Sequence, residues 1–517
     1  RRVALVTALV FAVQPINSEV VCYVSSRSEL LMGLLLLAAA ASHARCGAAE
    51  GRRWQCASLL AAAGSLLTKS VGIMTPLAVA VGDGFSGGVG RGRSRAGFYL
   101  PLGVMGLAYL LFIRGSATTA LVDAPVRSVA AQLFTQAKAQ VYYLQLIALP
   151  VRLNVEHQFD VSRTAEVPVV VAALLLGSLA AIAWGLRHQL RWIALAVAWW
   201  SLVLLPTTLI PLIVLVNEHR LYLASFGVIV PMAICLHSCA SRRYFGAVPM
   251  ATLGLAGYTI LLALLTVGRT YDWQSEESLW ADAAAKAPQM LRPYLRLADA
   301  LAHRGEVAAA EAAYLRAIAL RGNHPASRNN LGLLYRQQGR LAEAETQFRE
   351  LLSTSPDNVA SRLNLAELQM MRGQWRAADA QYDTALHYGD TAGRAQIRRG
   401  QIALRFLGDA QGALHHFDAA LAAGAGNDAD VHVGRGIALR KLGLDDLSLE
   451  AYQHATRMAP NRSDVWHNVG NLYLSLGMDE AAVDAFQRVV AIDDDSELVR
   501  SARARIQQMI SITDSAH

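Results

Sequence analysis

Apolar positions in the first 270 residues come in long runs, roughly at residues 3–13, 29–42, 55–82, 98–113, 137–150, 167–186, 191–206, 220–238 and 246–268. Several approach the roughly 20 residues that a helix needs to cross a bilayer. The 55–82 run is interrupted by LLTKSVG, which predicts two half-length helices with Lys69 at the break. Beyond residue 290 the runs give way to a long period. Small residues recur at Ala298, Gly332, Ala366, Gly400, Gly436 and Gly470, spaced by 34, 34, 34, 36 and 34. Twelve residues after most of them stands a second small residue (Ala310, Ala344, Ala378, Ser448, Ala482), and four further an aromatic (Tyr314, Phe348, Tyr382, Tyr452, Phe486). The fourth repeat runs one residue late, with Ala413 and Phe417.

The pattern predicts an all-α chain: a multi-spanning helical membrane domain over residues 1–270, a linker over 271–290, six helix-pair repeats over 291–495, and a capping helix and tail over 496–517. Small residues mark where paired helices touch, and the aromatic fills the next gap. This register resembles the tetratricopeptide repeat, an α-solenoid whose stacked units share one core. Such a solenoid is a binding surface with no chemistry of its own. On its inner helices Asn330, Asn364 and Asn468 share one repeat position, where an amide could hold a peptide backbone. The row resembles the asparagine ladder in the repeat superhelix of O-GlcNAc transferase, with Arg398 and Gly434 breaking it.

Composition supports the division. The chain is 54% hydrophobic and 17% charged, too apolar for an ordinary soluble protein of its size. Residues 1–270 carry 21 Lys and Arg against 9 Asp and Glu, whereas residues 271–517 carry 26 against 31. The basic excess lies in short loops between apolar runs, which argues for membrane orientation and against nucleic acid. All five cysteines (Cys22, Cys46, Cys56, Cys235, Cys239) fall in the apolar half, with no disulfide or zinc spacing. The first residue is Arg1 and the chain starts inside an apolar helix, so it reads as a fragment lacking earlier segments.

The loops at 43–54, 91–95, 187–191 and 241–243 read as cytoplasmic by their Arg content. The segments 14–29, Lys69, 114–166, 207–220 and everything after 268 then fall on the opposite face, in the periplasm or the lumen of the endoplasmic reticulum. That topology would gather Glu19, Arg27, Lys69, Glu156, His157, Glu218, His219 and Arg220 at one membrane face, where ionisable groups are costly and mark function. Guanidinium and ammonium groups suit a phosphate, and a carboxylate or histidine can take a proton from an attacking hydroxyl. An ion pair between Glu218 and Arg220 is the plainer alternative.

The segments VQPINSEVVCYVSSRSELLMGLLLL, GSLLTKSVGIMTPLAV, VYYLQLIALPVRLNVEH and LPTTLIPLIVLVNEHRLYLASFG occur in this order. They resemble the transmembrane and tetratricopeptide-repeat proteins similar to protein O-mannosyltransferases. The resemblance implies a GT-C-like multi-spanning fold and transfer of a sugar, mannose above all, from a polyprenyl-phosphate donor to Ser or Thr hydroxyls. It implies that Glu218, His219 and Arg220 flank the donor phosphate. Glu19, Glu218 and His219 are then the catalytic candidates, Arg220, Lys69 and Arg27 the phosphate-binding ones, and Glu156, His157 and Tyr222 further site candidates. Arg220 is expected to be the most sensitive. Two motifs depart from the family: His-Pro-x-His-x-Glu is here Gln14, Pro15, Asn17 and Glu19, and Ser-Lys-Glu is Thr68, Lys69 and Ser70. The acid that activates the acceptor in such folds would precede Arg1. No cofactor is fixed by the sequence, and a divalent metal stays open. Expected partners are the bilayer, the lipid-linked donor and a protein or peptide held by the repeats. The alternative is a membrane-anchored scaffold without catalysis.

Overall fold

The structure is a computed structural model that describes residues 2–23, 26–46, 51–85, 93–118, 126–241, 250–322, 324–389, 393–493 and 496–515. Of the basic loops, Arg91, Arg242 and Arg243 lie outside the described residues, as does the side chain of Cys239. Every regular element among the described residues is helical. The chain divides into two compact units, Arg1–Glu306 and Val307–His517.

The first unit contains α1 (Arg2–Ala12), α2 (Ser18–Cys22), α3 (Arg27–Ala44), α4 (Gly51–Thr68), α5 (Thr75–Phe85), α6 (Arg93–Thr118), α7 (Val129–Ala148), α8 (Val167–Gly185) and α9 (Arg191–Leu209). It continues with α10 (Leu221–Ala224), α11 (Phe226–Ser241), α12 (Met250–Asp272), α13 (Glu276–Lys286) and α14 (Leu291–His303). Among the described residues three helical stretches, Val167–Gly185, Arg191–Leu209 and Thr252–Asp272, are long and apolar enough to cross a membrane. A fourth arises if α1 and the segment Pro15–Cys22, bent by 58° at the Gln14–Pro15 break, count as one span. Proline explains the bend, because it lacks the N–H that would continue the ladder. Shorter apolar stretches run over Val71–Val81, Tyr99–Phe112 and Phe226–Cys235.

The sequence break at Lys69 is a real one. Helix α4 stops at Thr68, a 3₁₀ turn covers Ser70–Met74, and the buried Ser65 and Thr75 hydroxyls, 2.9 Å apart, tie the two half-helices together. The core of this unit gathers Ile16, Met32, Tyr143, Trp200, Leu204 and Leu223 from α3, α7, α9, α10 and the Pro15 turn. Gly227 lets α11 press onto α9, since a Cβ there would stand 2.9 Å from the Ala196 carbonyl oxygen. This packing fixes the turn between α9 and α10, where the ionisable residues lie.

The second unit is a run of paired helices: α15 (Val307–Arg321), α16 (Pro325–Gln337), α17 (Leu341–Thr354), α18 (Val359–Met371), α19 (Trp375–His387) and α20 (Arg394–Ile402). After a π-helical turn at Ala403–Leu407 come α21 (Ala410–Ala422), α22 (Ala429–Lys441), α23 (Asp445–Met458), α24 (Ser463–Ser475), α25 (Asp479–Ile492) and α26 (Glu497–Ser515). The small-to-aromatic spacing has a steric cause. A Cβ on Gly332 would approach Phe348 to 2.6 Å, one on Gly436 would approach Tyr452 to 2.7 Å, and one on Gly470 would approach Phe486 to 2.7 Å. The aromatic rings Phe348, Phe417 and Phe486 are wholly buried. Helix α26 closes the stack by burying Val499 and Ala502 against Phe486 and Val489 of α25.

Candidate functional site

A 3₁₀ turn over Glu218–Arg220 joins the loop after α9 to α10, and the Asn217 side chain caps it by accepting from the His219 backbone N–H at 3.2 Å. Residues at i and i+2 on such a turn point apart, so Glu218 and Arg220 do not pair; each finds a different partner.

His219 meets Glu19, which lies 200 positions earlier at the start of α2. The imidazole Nδ1 is 2.9 Å from Glu19 Oε1, and the His219 backbone N–H donates to Glu19 Oε2 at 3.1 Å. Both carboxylate oxygens therefore accept from one residue, which places the imidazole hydrogen on Nδ1 and leaves Nε2 with its lone pair. Glu19 is buried and the His219 side chain is 22% exposed. No partner for Nε2 occurs among the described residues. Three buried polar atoms of the neighbouring turn, Gln14 Oε1, Asn17 Oδ1 and Ser18 Oγ, have no hydrogen-bond partner. Unsatisfied buried groups are costly and are uncommon away from functional sites.

Glu218 is fully buried and belongs to a second carboxylate–histidine pair, with His157 Nε2 at 3.1 Å. The Tyr142 hydroxyl lies 3.0 Å from His157 Nδ1, and the Asn154 backbone N–H donates to Glu218 Oε1. On its other side Glu218 Oε2 faces Arg269 Nη2 at 3.8 Å. Arg269, near the end of α12, donates through Nη1 to Asp272 and Asp282, each at 2.9 Å. Lys286 of α13 donates to Asp282 and to the Leu153 carbonyl. A buried charge left alone is strongly unfavourable, so this linked set fixes the 153–157 loop and the Glu218 turn against α12 and α13.

The remaining candidates are placed less centrally. Glu156 pairs with Arg292 at 3.2 Å, and burial raises its carboxyl above the usual range despite the nearby guanidinium. Lys69 is bound to the buried Glu29 at 2.6 Å. Arg27 is exposed at the start of α3. Tyr222 packs its ring on Phe11, centroids 5.1 Å apart. Arg220 turns back to its own loop, donating to the carbonyls of Leu215 at 3.0 Å and Val214 at 2.9 Å. Among the described residues no group of three or more His, Cys, Asp or Glu is placed to hold a metal.

Of the asparagines, Asn364 donates to Asn329 at 2.8 Å, and the Ser361 hydroxyl donates to the same Asn329 oxygen at 3.2 Å. Asn330 accepts weakly from the Asn329 amide at 3.4 Å, and Asn468 is half-buried on α24. Position 434 carries glycine because Phe417 fills the space, leaving only 2.2 Å to a Cβ. Sequence reasoning missed Asn154, Tyr142, Arg269 and Glu29. A lone arginine one residue past the last apolar run, followed three residues later by an aspartate, was the available signal for Arg269.

Tetratricopeptide repeat family models match residues 295–359 and 403–463, 335–398, and 463–496. The second half of the chain is thus built of these repeats. A protein O-mannosyl-transferase of Caenorhabditis elegans is 24% identical over 337 residues, which are 62% of this chain and 46% of that protein. The chain therefore spans less than half the length of this curated relative. Among solved structures, a tetratricopeptide repeat protein from Parabacteroides merdae is 20% identical, covering 44% of this chain and 92% of its own, with a TM-score of 0.36. YrrB, described as a repeat protein with an unusual peptide-binding site, is 19% identical over 37% of this chain and 97% of its own, with a TM-score of 0.32.

Proposed function

We propose that this is a membrane glycosyltransferase-like protein that moves a sugar, mannose foremost, from a polyprenyl-phosphate donor to Ser or Thr hydroxyls of proteins held by its repeats. The observation that carries the reading is the His219 imidazole, oriented by Glu19 and left with a free Nε2. In the proposed step the acceptor oxygen bonds to the anomeric carbon as its proton passes to His219 Nε2. The bond from that carbon to the phosphate oxygen breaks, and the lipid phosphate leaves with the electron pair. Positioned proton transfer of this kind contributes roughly 10²–10⁴-fold. The three membrane-length stretches and the bent α1–α2 segment support a multi-pass anchor, and the C. elegans relative supports the reaction class. The reading places the repeats, with Asn330, Asn364 and Asn468, outside the cytoplasm.

The test is sugar transfer from a polyprenyl-phosphate donor by the full-length protein in detergent. His219→Gln, whose amide can still donate to the buried Glu19 but which has no ring nitrogen to take a proton, should lose turnover while thermal unfolding stays close to wild type; a well-folded variant with normal turnover overturns the assignment. A reporter active only in the cytoplasm, fused after His517, should be silent, and a strong signal refutes the topology.

A second reading, an extracytoplasmic scaffold without catalysis, is favoured by one observation. Two of the three cations expected at the donor phosphate are engaged internally, Arg220 by backbone carbonyls and Lys69 by Glu29. Under that reading wild-type protein binds repeat partners but transfers no sugar.

A further inference from the structure

Helices α7, α8, α9 and α11 line a cavity of about 470 Å³ on the flank of the first unit. Its wall is apolar, with Leu133 of α7, Leu176 and Leu179 of α8, Val197 and Leu205 of α9 and Val228 of α11. Leu133, Leu179 and Leu205 remain 44%, 40% and 38% exposed, so the cavity opens sideways between the apolar helices. Its volume lies within the roughly 300–1,000 Å³ of small-ligand sites.

Two guanidinium groups stand at one end of it. There the lining residues Gln136 and Thr208 adjoin the 207–215 loop. Gln136 donates to the Leu215 carbonyl at 3.4 Å, the same oxygen that accepts from Arg220 Nη1 at 3.0 Å. Gln132 donates to the Thr207 and Thr208 carbonyls at 2.9 and 3.2 Å, and its own side-chain oxygen accepts from Arg127, which also donates to the Leu212 carbonyl. Each arginine is thus separated from the cavity lining by a single intervening residue.

These bonds fix the arginines without neutralising them. Each guanidinium spends two of its five N–H groups on uncharged oxygens. Neither forms an ion pair among the described residues. Burial first, and then the charge of Arg220, pulls the Arg127 pKa below its ordinary value, with no carboxylate acting against them. The acids on neighbouring elements are turned elsewhere: Glu218 to His157 and Arg269, and Glu166, ahead of α8, to the Ser162 hydroxyl. Asp160 is exposed beside Lys138, which donates to its backbone carbonyl at 3.4 Å, and Asp123 lies outside the described residues. Like charges held together away from water call for an anion. A phosphate suits two guanidinium forks, whereas the ammonium of a zwitterionic headgroup would meet no carboxylate there.

We propose that this cavity binds an anionic phospholipid of the surrounding bilayer, one acyl chain lying between α7, α8 and α9 and the phosphate bridging Arg127 and Arg220. The site requires a membrane-embedded chain but not sugar transfer. It lies on the α8 side of the unit, whereas Glu19 and His219 meet at α2, which packs on α3 and α12.

The test is native mass spectrometry of the full-length protein, extracted from membranes in detergent, delipidated, and titrated with phosphatidylglycerol or phosphatidylcholine of equal chain length. One phosphatidylglycerol per chain should bind at least ten-fold more tightly than phosphatidylcholine. Arg127→Gln should remove that preference, and Arg127→Lys, which keeps the charge, should retain part of it. Ala180→Trp, which fills the cavity from the exposed side of α8, should weaken both lipids at least ten-fold. Leu174→Trp, 66% exposed on the same helix and outside the lining, should change nothing. Melting of each variant checks the fold. Protein recovered without detergent refutes the membrane premise, and the site with it, before any lipid is added. With that premise upheld, the proposal is overturned by equal affinity for the two lipids or by binding indifferent to Arg127→Gln and Ala180→Trp in folded protein. It is overturned equally by polyprenyl phosphate that displaces phosphatidylglycerol at lower concentration, which would make the cavity the sugar donor's.

Discussion

Replacing Glu19 by Gln turns one carboxylate oxygen into an NH₂ group and tests the central geometry. The carboxylate accepts from the His219 backbone N–H through Oε2 and from the imidazole through Oε1. An amide offers one acceptor only. If the new carbonyl serves the backbone, the NH₂ faces Nδ1 and forces the imidazole hydrogen to Nε2, which removes the lone pair proposed to take the proton. If the carbonyl serves Nδ1, the backbone N–H faces another donor. In either arrangement the imidazolium formed during transfer loses a charged hydrogen bond worth about 1.5–3 kcal/mol, roughly 10- to 150-fold in rate at about 1.4 kcal/mol per tenfold. Where the tautomer reverses, the loss from such a change beside a catalytic imidazole reaches about 10⁴-fold. The assay is single-turnover transfer from a polyprenyl-phosphate sugar to a Ser- or Thr-containing peptide, normalised to folded protein. A loss of at least ten-fold in kcat with substrate affinity kept is expected. Turnover within about three-fold of wild type in a folded Glu19→Gln protein would show that Glu19 does not orient a base.

Three further outcomes follow from the packing. Arg220→Ala should loosen the 210–216 loop and Arg220→Lys should do so less, because alanine cannot reach the Val214 and Leu215 carbonyls and lysine replaces a two-pronged fork by one ammonium on a flexible stem; limited proteolysis there should accelerate, and unchanged cleavage would mean the guanidinium is free for phosphate. Gly470→Leu should destabilise the repeats by about 1–3 kcal/mol through overpacking on Phe486, and Phe486→Ala by about 3–5 kcal/mol through loss of the ring; denaturant midpoints that do not move would refute the small-to-aromatic rule. Burial lowers the pKa of His324, His416 and His467. Their contribution is therefore complete above the unfolded value near 6.5 and is lost as pH falls below it, so the melting temperature of the repeats should drop from pH 7 towards pH 5, and less so in a His416→Gln, His467→Gln variant.

The repeats were legible because steric contact writes a period into the sequence: a glycine or alanine must stand wherever Phe348, Tyr452 or Phe486 fills the space opposite. The late fourth repeat was legible too, as one surplus residue, although only the backbone shows where it is absorbed. The site was legible as a set of candidates and not as pairs. Glu19, Glu218, His157 and His219 stood out as ionisable groups beside apolar runs. Nothing local, however, couples Glu19 to His219 or Glu218 to His157, since those partnerships depend on how α2, α7 and α12 pack. Arg220 illustrates the limit most sharply. Its charge suggested a phosphate, but its hydrogen bonds go to carbonyls that face it only once the 210–216 loop has folded. Arg269 escaped notice because its partners, Asp272 and Asp282, lie beyond the apolar run that it terminates.

The separation of 200 positions between Glu19 and His219 also has a consequence in time. A ribosome adds roughly 5–20 residues per second, so the carboxylate emerges about 10–40 s before the imidazole that will bind it exists. Throughout that interval Glu19, destined for burial, has no histidine to satisfy it and must stay hydrated. The α1–α2 bend therefore cannot settle into its final seat until α10 has been made. Assembly of the pair thus sets an order of folding within this unit, in which the Pro15–Cys22 segment docks only after the chain has been made through residue 219.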